Sequence, residues 1–181
     1  MGVPEIVPRE TKHGLVADGD GWYVINARES RWRDAGRFGH YCDFEGKRGF
    51  RQLGFNLSIL QPGEAIGLYH LERAQEAFLV LSGECLLLVE GEERQLRAWD
   101  FFHSPGGTAH MILGAGGGPS VVLAVGGRGG RKGLVYLREA LALAHGVGVE
   151  RETTSPREAY APFPAFTRCR YGEGWLPDVS R

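Results

Sequence analysis

The chain has 181 residues, enough for one domain with a full hydrophobic core and about thirty to forty residues left for arms and tails. Its 21 basic and 22 acidic residues leave a net charge of −1, so no bulk field exists to hold a nucleic acid or an anionic membrane, and neither is expected as a partner. The opening MGVPEIVPRE places Pro and Glu where a secretion signal needs a basic start and an apolar run, and no stretch approaches a membrane span; a soluble, cytoplasmic protein is expected. Cys42, Cys85 and Cys169 are odd in number and far apart, which suits reduced thiols.

Glycines punctuate short runs of Val, Leu, Ile, Phe and Trp, the pattern of an all-β domain. In chain order the expected strands are Trp22–Asn26, Leu53–Leu60, Ala77–Leu81, Cys85–Val89, Arg94–Arg97, Met111–Leu113 and Val121–Val125. The turn-forming stretches Leu81-Ser82-Gly83-Glu84 and Val89-Glu90-Gly91-Glu92 predict antiparallel hairpins between consecutive strands. Residues 27–51 carry Trp32, Phe38, Tyr41, Phe44 and Phe50, too aromatic for a linker, so this arm is expected to pack on the barrel or on a second subunit. Leu134, Leu137, Leu141 and Ala144 stand at helical spacing and Gly146 is placed to end the helix. Thr153-Thr154-Ser155-Pro156 suits a further helical turn, and the tail to Arg181 reads as an extended arm. The organisation expected is one domain overall, with an N-terminal strand and arm over 1–52, a barrel core over 53–126, and a C-terminal helix and tail over 127–181.

The chemistry is concentrated in PGEAIGLYHLERAQEAFLVLSG and WDFFHSPGGTAH. Residues two apart in a strand face the same side about 7 Å apart, so His70 and Glu72 can both point into a barrel. Glu76 keeps their parity, and a bend at Arg73-Ala74-Gln75 returns it towards His70. His110 follows the rigid turn Pro105-Gly106-Gly107 and arrives from another strand. Imidazole nitrogens with carboxylate oxygens suit a divalent transition metal such as Zn, Fe, Mn or Ni. Two carboxylates confined in one cavity without a cation would repel or protonate, which favours a metal held by His70, Glu72, Glu76 and His110. Glu72 reads either as a direct ligand or as the partner of an imidazole.

These segments resemble the paired motifs of the cupin superfamily. After Gly63 come six residues, then His70, Glu72 where a second histidine is usual, three residues, Glu76, six residues and Gly83. Trp99 stands at a glycine position, followed by Pro105, Gly107, two residues, His110, and Gly114 in place of an asparagine. The fifteen residues between Gly83 and Trp99 resemble the compact spacing of single-domain bacterial cupins of the conserved-barrel type. The resemblance covers roughly residues 53–125 and implies an all-β double-stranded β-helix, a jelly-roll barrel, with an N-terminal arm and a short C-terminal helix. It also implies a homodimer.

Other features carry plainer readings. His103 reads as a core or rim histidine, Asn56 and Ser58 as either cavity-lining or solvent-facing, and Gln75 as a site neighbour or an exposed bend. The glycines of 114–118 and 126–130 complete no phosphate-binding motif and read as turns, and Arg128, Arg131 and Lys132 as a solvated connection. No nucleophile triad is visible. The expected function is therefore a metal-dependent small-molecule enzyme with oxygenase-, isomerase- or hydrolase-like chemistry. The alternatives are a barrel that binds or senses a sugar-like ligand without turnover, and a metal-free barrel acting through a protein partner. Fold alone does not choose among them.

Overall fold

A computed structural model describes residues 2–128 and 133–178; Arg131 and Lys132 of the expected basic connection lie outside the described residues. Two sheets face each other across an apolar interior. The seven-stranded sheet runs β10 (Phe101–Ser104), β7 (Glu76–Ser82), β12 (Ser120–Gly127), β5 (Leu53–Leu60), β4 (His40–Cys42), β3 (Trp32–Asp34) and β14 (Thr167–Cys169). The five-stranded sheet runs β13 (Val135–Tyr136), β6 (His70–Leu71), β11 (His110–Ala115), β8 (Glu84–Val89) and β9 (Glu92–Arg97). A small hairpin of β1 (Arg9–Thr11) and β2 (Gly14–Val16) stands apart from both. The chain is thus an all-β jelly-roll barrel, as the sequence implies.

Alternation along the strands decides what each layer buries. Leu60, Phe78, Val80, Cys85, Leu87, Ile112, Val122 and Ala124 pack together between the sheets. Full burial of one such Leu, Ile or Val contributes about 1.5–3 kcal/mol. The opposite parity of β8 and β11, with Leu86, Leu88, Met111 and Leu113, packs outside the five-stranded sheet against Phe38, Ala142, Val147 and Ala159. Trp32, Cys42, Leu57, Ile59 and Val121 form a third cluster outside the seven-stranded sheet.

Three expectations are corrected. The hairpin predicted at Leu81–Glu84 does not form: β7 pairs with β10 and β12, whereas β8 pairs with β11 and β9. The turn instead carries the chain from one sheet to the other at Gly83, whose φ of 76° suits glycine; a Cβ there would lie 2.6 Å from the Pro119 carbonyl oxygen. Trp22–Asn26 forms no strand, since only Trp22 makes a bridge, to Glu5, and the segment leaves Trp22 and Val24 exposed. The predicted helix is confined to α1 (Ala140–Ala144), capped by the Glu139 carboxylate, which accepts a hydrogen bond from the Ala142 N–H at 2.7 Å. Val135 and Tyr136, good strand formers, pair with β6 instead. The second helical turn appears as α2 (Pro156–Ala159), with Ser155 as its N-cap and Pro156 at its start.

The arms are woven into the barrel. β3 and β4 extend the seven-stranded sheet from the N-terminal side, and β14 from the tail pairs with β3. Among the described residues no helix is long and apolar enough to cross a membrane.

Candidate metal centre

β6 is only two residues long, yet its register places the site. His70 stands opposite His110 on β11 and opposite Tyr136 on β13, and His110 stands opposite Val89 on β8. Directly opposed residues project to the same face, so His70 and His110 point together towards the barrel interior, with Tyr136 next in the row at the sheet edge, where its ring also packs against the cluster of Phe38 and Tyr160. Glu76 arrives from the facing sheet as the first residue of β7, after the bend at Arg73 and Ala74 that the sequence suggests.

Glu76 Oε2 stands 3.2 Å from His110 Nε2 and 3.7 Å from His70 Nε2. The imidazole rings are 5.4 Å apart between centroids. His110 is about 1% exposed, wedged edge-on against Phe78 and Phe102. Its Nδ1 faces the Thr108 carbonyl at 3.0 Å and the Ser104 hydroxyl at 3.2 Å. Nδ1 of His70 faces the Leu68 carbonyl at 2.8 Å. A carbonyl only accepts, so both Nδ1 atoms carry the proton, and in each neutral ring Nε2 is left as a lone pair. Two nitrogen lone pairs and a carboxylate oxygen therefore converge on one point. Glu76 Oε2 and His110 Nε2 are buried without a hydrogen-bond partner, despite lying 3.2 Å apart. Such a cluster is stable only with a cation or protons between the three atoms.

The electrostatics agree. Burial pushes the Glu76 carboxyl upward, but with no metal between them protons on the His110 and His70 rings would outweigh it and hold its pKa at about 2. Burial disfavours a charged His70, yet Glu76, the Leu68 carbonyl and Glu72 together hold it above the ordinary value.

Glu72 lies just past β6 and is half-buried; its carbonyl accepts the Gly107 N–H at 2.7 Å, tying the two motif loops together. Its charge acts on both His70 and Tyr136. Asn56 and Ser58 share the parity of Leu60 and so face the interior, resolving the choice their sequence context left open. Gln75 and His103 are exposed. Sequence reading missed Tyr136, which is about 5% exposed with its ring 5.9 Å from that of His70 and 5.7 Å from that of Tyr160. Burial, then Tyr160 and Glu72, push its phenol well above the ordinary range, so it stays protonated. Its signal was hidden in an apparent helix: the pair Val135-Tyr136 is strand-like in type but too short to show alternation.

Among the described residues no group of three or more His, Cys, Asp and Glu side chains stands assembled as a metal cage. The fit of a metal rests on the convergent donor atoms. Two imidazole nitrogens and a carboxylate oxygen are the donors that zinc, iron, manganese and nickel accept.

A family model described as "Cupin domain" matches residues 56–126. None of the curated proteins matches the sequence. Among solved structures, a provisionally assigned sugar phosphate isomerase from Acidithiobacillus ferrooxidans shares 31% identity over 49% of this chain and 58% of its own, with a TM-score of 0.45. A sugar phosphate isomerase of the cupin superfamily from Silicibacter pomeroyi shares 25% identity over 56% of this chain and 62% of its own, with a TM-score of 0.45. An RmlC-like cupin from Shewanella frigidimarina shares 19% identity over 57% of this chain and 87% of its own, with a TM-score of 0.49. The chain thus spans about three fifths of the length of the first two structures.

Proposed function

Because the chain belongs to the cupin superfamily, its cupin domain spanning residues 56–126, we propose that its barrel holds a divalent transition metal and acts on a small oxygen-bearing molecule. One observation carries the reading: the Nε2 atoms of His70 and His110 meet the Glu76 carboxylate, while each Nδ1 is committed to a backbone carbonyl. A carbonyl on the far side of a ligating imidazole fixes the tautomer and turns the free lone pair towards a metal. His70, Glu76 and His110 would hold the ion, with Glu72 either joining them or acting through His70. When bound, the metal supplies Lewis acidity, polarising a substrate oxygen or activating water or O₂. The protein's own groups position His110 through Thr108 and Ser104 and exclude water from its inner side with Phe78 and Phe102.

The test is metal analysis by mass spectrometry on protein purified without metal affinity resin, beside His70→Ala/His110→Ala. Near-stoichiometric Zn, Fe, Mn or Ni that disappears in the double variant is expected. Wild-type protein that stays empty after reconstitution would overturn the reading in favour of a metal-free ligand-binding barrel. The three unpaired thiols accord with a cytoplasmic setting.

The outer face of the seven-stranded sheet is the proposed homodimer surface. Phe101, Leu79 and Leu123 share one cross-strand row there, and His103, Ala77, Val125 and Phe55 the next. Trp22, Val24, Ile25, Phe44 and Phe50 border the open groove beside them, which has a volume of about 580 Å³. Neither row contains Asp, Glu, Lys or Arg, so a second copy could meet the face without burying a charge, as an isologous interface requires.

A further inference from the structure

We propose that Tyr136 is a ligand-contacting residue of this centre, donating its phenolic hydrogen bond to a small carboxylate bound beside His70. The inference rests on the metal reading above and extends it to a residue that neither cupin motif contains.

Three placements support it. First, Tyr136 continues the row of His70 and His110 on the same face of the five-stranded sheet, one strand further out. Its ring is 5.9 Å from that of His70 between centroids. A phenol in that place is the next polar group that a molecule extending from the histidines towards the sheet edge would meet.

Second, its backbone is fixed on both sides. It pairs with His70 on one side; on the other, its N–H donates to the Thr153 carbonyl at 2.9 Å and its carbonyl accepts from Thr153 N–H at 3.2 Å. Tyr160 packs edge-on against its ring, and Tyr160 is itself anchored where its hydroxyl accepts the Leu68 N–H at 3.1 Å. A group pinned in this way loses little freedom when a ligand arrives.

Third, the facing wall carries no side chain immediately beside the carboxylate. The row on the seven-stranded sheet reads Ser104, Glu76, Gly126 and Gly54. The last two add no side chain, and a Cβ on Gly126 would already stand 3.4 Å from Glu76 Oε1. The bare strip ends under the Arg128 guanidinium, whose Nε would be 3.1 Å from a Cβ on Gly54 and which is held by Glu45 and the Phe50 carbonyl. Asn56 stands one row deeper on the same face. The Tyr136 phenol, Asn56 and Arg128 thus supply hydrogen-bond donors along a strip without side chains, and with a metal ion offsetting the Glu72 and Glu76 carboxylates that setting suits an oxygen-rich anion.

The test uses full-length protein loaded with cobalt(II) as a coloured substitute metal, titrated with acetate and followed by the visible absorption bands of the ion. Tyr136→Phe, which removes only the hydroxyl, should bind cobalt as the wild type does and acetate about tenfold more weakly. Tyr160→Phe, which alters the neighbouring ring's hydroxyl, should leave acetate affinity unchanged. Unchanged acetate affinity in Tyr136→Phe overturns the assignment while leaving the metal reading intact. Loss of cobalt in that variant also overturns it, because the hydroxyl would then serve the metal and not the ligand. Absence of cobalt bands in the wild type overturns the metal reading, and the Tyr136 assignment with it. Should Tyr136→Phe fail to fold, the near-ultraviolet difference spectrum of cobalt-loaded wild type on adding acetate decides: a tyrosine perturbation supports the contact, and a flat spectrum refutes it.

Discussion

Ser104→Ala probes how the protein orients its proposed metal ligand. Ser104 is about 2% exposed, and its hydroxyl lies 3.2 Å from His110 Nδ1, while the Thr108 carbonyl lies 3.0 Å from the same atom. The proton on Nδ1 is shared between these two acceptors, so deleting the hydroxyl leaves the closer one in place and keeps the ring in its tautomer. A neutral hydrogen bond contributes about 1 kcal/mol net, which corresponds to roughly a fivefold loss of metal affinity. Removing the carbonyl's orienting effect as well would put the loss nearer the 10- to 100-fold typical of groups behind a metal ligand. Competition with a chromogenic chelator measures the change directly, with circular dichroism confirming the fold. A loss beyond about a hundredfold would mean that Ser104, not Thr108, fixes the imidazole. No loss at all would show that Nδ1 is satisfied by Thr108 alone and that the shared bond is without consequence.

Four further outcomes are expected. Gly83→Ala forces a Cβ into a left-handed conformation and into the Pro119 carbonyl, at 2.6 Å, and Ser120 Cα, at 2.8 Å; a destabilisation of about 2–4 kcal/mol in urea titration is expected, and a wild-type midpoint would contradict the sheet-crossing geometry. Burial raises the Cys42 thiol from an ordinary 9 to about 11. Above pH 9 the unfolded chain releases a proton that the folded chain retains, so stability is fully present below pH 9 and falls by about 3 kcal/mol as pH rises through 11. Urea curves at successive pH values should show wild type losing about 3 kcal/mol more than Cys42→Ala between pH 9 and 11, beyond the decline that the other buried thiols and phenols give both proteins, and parallel curves would refute it. Glu72→Ala should lower metal retention while leaving the circular dichroism spectrum intact; unchanged metal content removes Glu72 from the centre. Leu123→Asp should convert a dimer to a monomer by light scattering, and a monomeric wild type would dismiss the outer face as a self-association surface.

The barrel was legible in the sequence because its strands are long enough to alternate. Leu53–Leu60 is named by sequence and structure alike, and the register of β12 on β5 follows from their matched apolar parity. His70, Glu76 and His110 could be singled out because a motif spacing carries them. What stayed hidden depends on contacts distant in sequence. The turn at Gly83 looks like any hairpin turn until it is known that β8 finds its partner in β11. Val135 and Tyr136 belong to a segment of helical periodicity, and only pairing with a two-residue strand makes them extended. The inward direction of Asn56 follows from Leu60, whose burial in the barrel is a property of both sheets together.

The pairing of β14 with β3 joins Cys169 to Trp32 and Thr167 to Asp34. In a growing chain β3 is made long before β14, so its edge of the seven-stranded sheet stays unprotected while the strands between them are made. An open edge is a template for any extended segment, including β14 of another nascent copy. Folding at high expression therefore carries a specific hazard of strand exchange, one that a shortened tail would turn from a transient exposure into a permanent one.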